Sequence, residues 1–445
     1  MTNHPTIGKV QESKELIKLA LPLVANNVAI MGMSTTDTVM AGRISALDLA
    51  AIGVGGGFWS IVFIFGLGTL LALSPIVAQR FVSQAPESVG PYTQQSFWLA
   101  QCLAILLFVL LQFSDRLVVV FGLEAELIPK TGGYLKAISF GLPAIYAFLT
   151  LRFTSEGIGK TQPIMWMALI TLILNGVFNY IFMFGKLGMP AMGAVGCGWA
   201  SALAMWCQFF FMLIYVSRNR DYKPLKIFEN FRLPDPVLLK ELVALGVPIG
   251  LTLLAEVGLF GATSILMGGL GIFEAAAHQV AINYAAMTFM VPLGITAAIT
   301  IRVGHALGRS QSANARQAGI VGIAICGLFM ACAALLLIIF KETIVSFYTD
   351  DPQVVVVALT LLTVAAFFQI SDGLQVGAMG ALRGFKDTRT PLAISVVAYW
   401  LIGFPMAYVF GVILAMGPQY VWWALVAGLS TAALLLGYRF HRISL

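Results

Sequence analysis

Charge is scarce in this sequence. Of 445 residues only 10% are Asp, Glu, Lys or Arg, against about 25% in an ordinary soluble domain. The 26 basic and 20 acidic residues leave a net charge of +6, and so dilute a basic complement forms no face for nucleic acid. Histidine occurs four times and cysteine five. Cys102, Cys197, Cys207, Cys326 and Cys332 lie in or beside apolar runs, odd in number and without CxxC spacing. They read as small packing residues, not as a disulfide framework or a zinc site. HExxH, GxSxG and paired mid-membrane histidines are all missing, which argues against an intramembrane enzyme. The longest polar break, residues 218–236, is too short to form a separate soluble domain.

What the chain has instead is apolar length: 59% of its residues are hydrophobic and its mean hydropathy is +0.90. A membrane helix needs about 20 largely apolar residues. Twelve such runs are legible, at 16–40, 48–76, 94–113, 132–155, 163–184, 193–216, 240–268, 275–300, 317–340, 354–381, 391–412 and 418–438. The spacing therefore predicts an all-α membrane protein of twelve spans. The polar first eighteen residues and the runs after them read as a multi-spanning chain, not as a cleaved signal peptide. With the N-terminus inside, the cytoplasmic breaks carry twenty basic residues. The outer side keeps only Arg43, Arg116, Lys130, Lys136, Lys186 and Lys341. The positive-inside rule then places both termini in the cytoplasm, as expected for a bacterial inner-membrane protein.

The two halves resemble each other. ELIKLALPL (15–23) aligns with ELVALGVPI (241–249), setting Pro22 over Pro248; DTVMAG (37–42) falls over SILMGG (264–269), and GLG (66–68) over PLG (292–294). EGIGKTQP (156–163) meets RGFKDTRTP (383–391) with one insertion. The offset stays at 226–227 throughout, and six spans per half is an even number, so the repeats share one topology. Such repeats predict an N-lobe (1–217), a cytoplasmic linker (218–239) and a C-lobe (240–445), related by a pseudo-twofold axis and suited to alternating access. One chain holds both lobes, so a functional monomer is expected.

Three acidic residues lie within spans: Asp37 in the first, Glu256 in the seventh and Asp372 in the tenth, with no Lys or Arg within four positions. A charged group at the bilayer centre costs roughly 2.5–3.5 kcal/mol on insertion scales, so such residues normally mark an ion or proton site. The alternative is a protonated carboxyl that only bridges helices. Gln369 and Gln375 flank Asp372 at i−3 and i+3 and are expected to supply carbonyl oxygens. Asn175 and Asn179 share a face of the fifth span, either bridging helices or helping Asp37 hold a cation. Oxygen ligands suit hard cations, whereas a transition metal favours His or Cys; His278 alone lies in a span. No metal or cofactor is expected beyond Na+ or H+.

At these residues the chain resembles the MATE (multidrug and toxic compound extrusion) family, in particular its NorM branch. The likeness covers almost the whole chain. It rests on DTVMAG (37–42), NYIFMFGKLGMPAMGAVGCG (179–198), AAHQVAIN (276–283), IRVGHALG (301–308), YTDDP (348–352) and QISDGLQVGAMGALRGFKDT (369–388). The resemblance implies export of amphipathic, mostly cationic drugs and dyes, driven by inward Na+ or H+ through a rocking-bundle cycle. It implies an N-lobe polar cluster at Asp37, Asn175 and Asn179, and a cation site at Glu256 and Asp372. Gln279, Asp350 and Asp351 match positions near the drug path, although the Asp pair equally suits a solvated, helix-capping loop. Phe368 stands where the family often has Tyr, offering a ring face in place of a hydroxyl. Phe260, Phe289, Trp400, Phe404 and Tyr408 are candidate cavity aromatics, each weighed against lipid or core packing. A lipid-linked-saccharide flippase of the same broad superfamily is the alternative function, but its cavity calls for basic residues and the mid-membrane charges here are acidic.

Overall fold

The computed structural model describes residues 8–83, 86–120, 125–229 and 231–445. Twelve spanning elements follow in chain order: α1 Lys9–Gly42, α2 Ala46–Val82, α3 Pro86–Gln112, α4 Leu127–Ser139 with Leu142–Gly157, α5 Gln162–Phe184, α6 Gly193–Arg218, α7 Pro236–Leu270, α8 Ile272–Gly308, α9 Ser312–Ser346, α10 Pro352–Gly384, α11 Arg389–Ile413 and α12 Pro418–Ser444. Eleven are single helices, and α4 is a pair bent by 47°. The bend has a local cause. Pro143 has no N–H to continue the hydrogen-bond ladder and its ring crowds the preceding turn. The twelve runs expected from hydropathy are thus the twelve elements of the fold.

Packing divides the chain into two units, Met1–Val24 with Leu251–Leu445 and Ala25–Gly250. The first is built around Tyr399, Phe368, Trp422, Leu382 and Leu425. The second centres on Tyr146, Phe148, Phe153, Leu73 and Ile76. α1 and α7 each begin in one unit and finish in the other. Their crossing points, after Val24 and after Gly250, lie 226 residues apart, the offset of the sequence repeats. Each falls two residues beyond an in-helix proline, Pro22 or Pro248.

Each exchanged helix start is fastened by charge. In the first unit Arg302 of α8 grips Glu12 of α1 with both arms of its guanidinium, Nε to Oε1 at 2.8 Å and Nη2 to Oε2 at 2.6 Å. In the second, Tyr92 of α3 donates to Glu241 of α7 at 2.5 Å and accepts from Arg80 of α2 at 2.7 Å.

Of residues 218–239, read from sequence as a linker, the described residues 218–229 and 231–239 pack within Ala25–Gly250. Gln94 and Gln95, buried on α3, strap this segment by backbone-mimicking bonds. The Gln94 amide donates to the carbonyls of Ile227 and Glu229 and accepts from Arg232 N–H. Gln95 donates to Leu233 and accepts from Asp235 N–H.

α11 is irregular. Residues Val396–Gly403 and Val409–Ile413 form π-helical turns, a wider winding that is rare and concentrated at functional positions.

Candidate functional site

Two buried polar clusters stand out, one in each unit. In the unit completed by Leu251–Leu445, α7 supplies Glu256 and α10 supplies Asp372, respectively 8% and 4% exposed. α10 is pinned in register. Thr296 and Thr300 of α8 donate across to the carbonyls of Val376 and Gly380 at 3.0 and 2.8 Å. Gly373, next to Asp372, lets α10 close on α9, because a Cβ there would stand 2.6 Å from Met330 Cγ. Inter-helical hydrogen bonds and small residues are the usual cement of membrane bundles.

Gln375 joins the two acids. Its Nε2 lies 3.3 Å from Glu256 Oε1 and 3.2 Å from Asp372 Oδ1. Its Oε1 accepts from the Tyr399 hydroxyl of α11 at 2.5 Å. Ionised carboxylates can only accept, so with both acids ionised the NH2 faces them, and the Tyr399 hydroxyl, able to donate or accept, then donates to the C=O. The expectation that Gln375 offers its carbonyl oxygen to an ion is therefore corrected; the amide nitrogen is what faces the carboxylates. Gln369, three residues before Asp372, donates to Thr288 of α8 at 2.7 Å. Its buried Oε1 has no partner among the described residues.

The second cluster lies in the unit Ala25–Gly250. Asn179 of α5, fully buried, donates to Asp37 Oδ1 of α1 at 2.5 Å and to Asn175 Oδ1 at 3.3 Å. The Cys197 thiol of α6 hydrogen-bonds Asp37 as well. Asn179 Oδ1, like Gln369 Oε1, is buried without a partner among the described residues. Leaving such an acceptor unsatisfied costs about 1–3 kcal/mol. Both clusters thus set buried carboxylates against side-chain amides, and carboxylate oxygen suits Na+ or a proton and suits soft metals poorly.

The other buried acids show what a structural carboxylate looks like here. Glu12, Asp48 and Glu156 are 1–3% exposed and each has a basic partner: Arg302 at 2.6 Å, Lys130 at 2.8 Å and Arg152 at 2.8 Å. The hydrogen bonds to Glu256, Asp372 and Asp37 instead come from uncharged groups, although the field of Arg383 on α10 reaches Glu256.

The residues expected along the drug path are dispersed. Gln279 is exposed and donates to Asn283 at 3.3 Å. Asp350 is exposed, and Asp351 caps α10 by accepting from Gln353 N–H at 2.9 Å, the solvated-cap arrangement. Phe368 is 2% exposed and packs edge-on against Phe260 and Trp422, so it is a core ring and not an open surface. Trp400 donates to the Ala255 carbonyl and leans on Phe404, while Tyr408 is exposed. Sequence reasoning missed Tyr399, Thr288 and Cys197. A polar residue inside an apolar run was the available signal, but Tyr, Thr and Cys are ordinary packing residues in membrane helices.

The MatE family profile matches residues 22–181 and 248–409, the two repeats. The chain is 40% identical over 436 residues to the multidrug resistance protein MdtK of Yersinia enterocolitica, covering 97% of this chain and 95% of that protein. It is 39% identical to the MdtK of Yersinia pestis, with the same coverage. Among solved structures, the eukaryotic MATE transporter AtDTX14 superposes with a TM-score of 0.88 at 19% identity, covering 98% of this chain and 99% of that one. A multidrug resistance MATE transporter in its outward-facing conformation gives 0.89 at 18% identity, covering 99% of each chain. Profile, full-length relatives and shared fold together place this chain in the MATE family of membrane transporters.

Proposed function

We propose that the protein exports amphipathic, mostly cationic drugs and dyes from the cytoplasm of a bacterium in exchange for Na+ or H+. It is a multi-pass secondary transporter and not an enzyme. The curated relatives are named for multidrug resistance, which supports the substrate class. The single observation that carries the coupling step is the Glu256–Asp372 pair, two buried acids bridged by the Gln375 amide. Asp37 with Asn175 and Asn179 forms a second polar centre for the same ion. The repeats 1–217 and 240–445 act as the two lobes around residues 218–239, both termini lie in the cytoplasm, and one chain suffices.

In this cycle an ion loads onto Glu256 and Asp372 from outside, neutralising the pair and disfavouring a cationic drug. The loaded protein turns inward and releases the ion, and the bared acids then attract drug. Exchange of one monovalent drug for one monovalent ion moves no net charge, so a tenfold ion gradient supplies about 1.4 kcal/mol. Exchange of two ions for one drug adds about 2.3 kcal/mol per 100 mV of membrane potential.

The test is ethidium movement in liposomes under Na+ and H+ gradients imposed separately. Movement under one gradient establishes the exchange and names its ion. Asp372→Asn should weaken both the ion dependence and drug efflux, because coupling is reciprocal. Gradient-driven efflux at the wild-type level in that variant rejects the assignment.

A further inference from the structure

The Gln375 amide is unusual in what it opposes. It carries two N–H groups and meets two carboxylates from two helices, one acceptor for each donor. Gln375 and Tyr399 are both fully buried. Tyr399 holds the carbonyl end from behind, and it sits in the π-helical stretch Val396–Gly403 of α11. An amide held this way puts the positive end of its dipole where a cation would have to sit. It also denies that cation its own oxygen, which is turned toward the phenol. A second amide oxygen on α10, Gln369 Oε1, three residues before Asp372, is buried without a partner among the described residues.

We propose that the Gln375 amide, held by Tyr399, is a built-in occupant of the cation position, bridging Glu256 and Asp372 when the site is empty and displaced when Na+ or a proton arrives. The inference rests on the reading of Glu256 and Asp372 as the coupling pair. An exchanger must pass through an ion-free state, and two bare buried acids make that state costly because they repel each other and have lost their water. Donation from a neutral amide makes the empty state accessible while remaining weaker than a full positive charge. Gln375 is therefore a positioning residue that sets how tightly the ion is held.

This role predicts a sign that a plain ligand or a scaffold does not. Removing a competitor tightens ion binding, whereas removing a ligand or a support loosens it. In liposomes, Gln375→Leu should lower the half-saturating concentration of the driving ion for ethidium exchange by about tenfold, equivalent to about 1.4 kcal/mol. This appears as a lower Na+ requirement if Na+ drives exchange, or as a pH midpoint about one unit higher if H+ does. The other titratable groups within reach of the pair, Arg383 of α10, Cys326 of α9 and Tyr399 of α11, are unchanged in this variant.

Tyr399→Phe keeps the amide but releases its carbonyl, and should shift the same quantity in the same direction by less. It decides the matter if Gln375→Leu does not fold. A half-saturating concentration that is unchanged or higher in the folded variants overturns the proposal. Wild-type ion dependence in Asp372→Asn overturns instead the coupling assignment beneath it, so the two failures are separable.

Discussion

Asp48 offers a stability test whose size follows from its contacts. It lies near the start of α2, 3% exposed, and ties three elements together. Lys130 of α4 reaches its Oδ2 at 2.8 Å and the backbone N–H of Ala194, in the first turn of α6, donates to Oδ1 at 2.9 Å. Ser45 donates to Oδ2 at 2.6 Å. Gly193 turns the chain into this contact with φ +55°, and a Cβ there would stand 2.5 Å from Asp48 Oδ1.

In Asp48→Ala the buried Ala194 N–H loses its acceptor, at about 1–3 kcal/mol. The lost ion pair adds only about 0.2–1 kcal/mol, because Lys130 is 35% exposed and keeps access to water. Ser45 still caps the helix, since its acceptor role uses the backbone N–H of position 48. The expected total is about 1–4 kcal/mol. Asp48→Asn retains an acceptor for Ala194 and should lose only about 1 kcal/mol. Melting of the purified protein in detergent, followed by tryptophan fluorescence, should rank wild type above Asp48→Asn above Asp48→Ala. An Asp48→Ala protein that melts with the wild type refutes the argument. Equal losses in the two variants would show that charge, and not the Ala194 hydrogen bond, carries the contact.

Two further predictions follow from burial. Glu12→Gln leaves the Arg302 guanidinium, only 15% exposed, without its counter-charge and should cost about 3–5 kcal/mol. Adding Arg302→Met should restore most of that loss in the same melting assay, and a double variant no better than Glu12→Gln rejects the pairing. Cys102 and Cys332 are exposed while Cys197 and Cys326 are fully buried. A membrane-permeable maleimide should therefore label the first two in native protein and the other two only after unfolding in detergent, as read by peptide mass spectrometry; native labelling of Cys326 contradicts the packing.

Much of this protein was determined by its sequence alone. Apolar run length fixes the number of spans, because a backbone in hydrocarbon has to satisfy its own hydrogen bonds as helices. The repeat offset of 226 reappears as the spacing of the points where α1 and α7 pass between units. Asp37, Glu256 and Asp372 were legible because an acid in an apolar run is too costly to be incidental. Tertiary structure decided the rest, since partners far apart in sequence leave no periodic signal. It separated the ion-paired acids Glu12, Asp48 and Glu156 from those bridged by amides, the pairing partners lying up to 290 positions away. It turned Gln375 nitrogen-first, because only the fold brings the Tyr399 hydroxyl to its oxygen, and it folded Phe368 into an aromatic core. It also strapped 218–236 onto α3 through Gln94 and Gln95, side chains whose value lies in matching a backbone that sequence cannot place beside them.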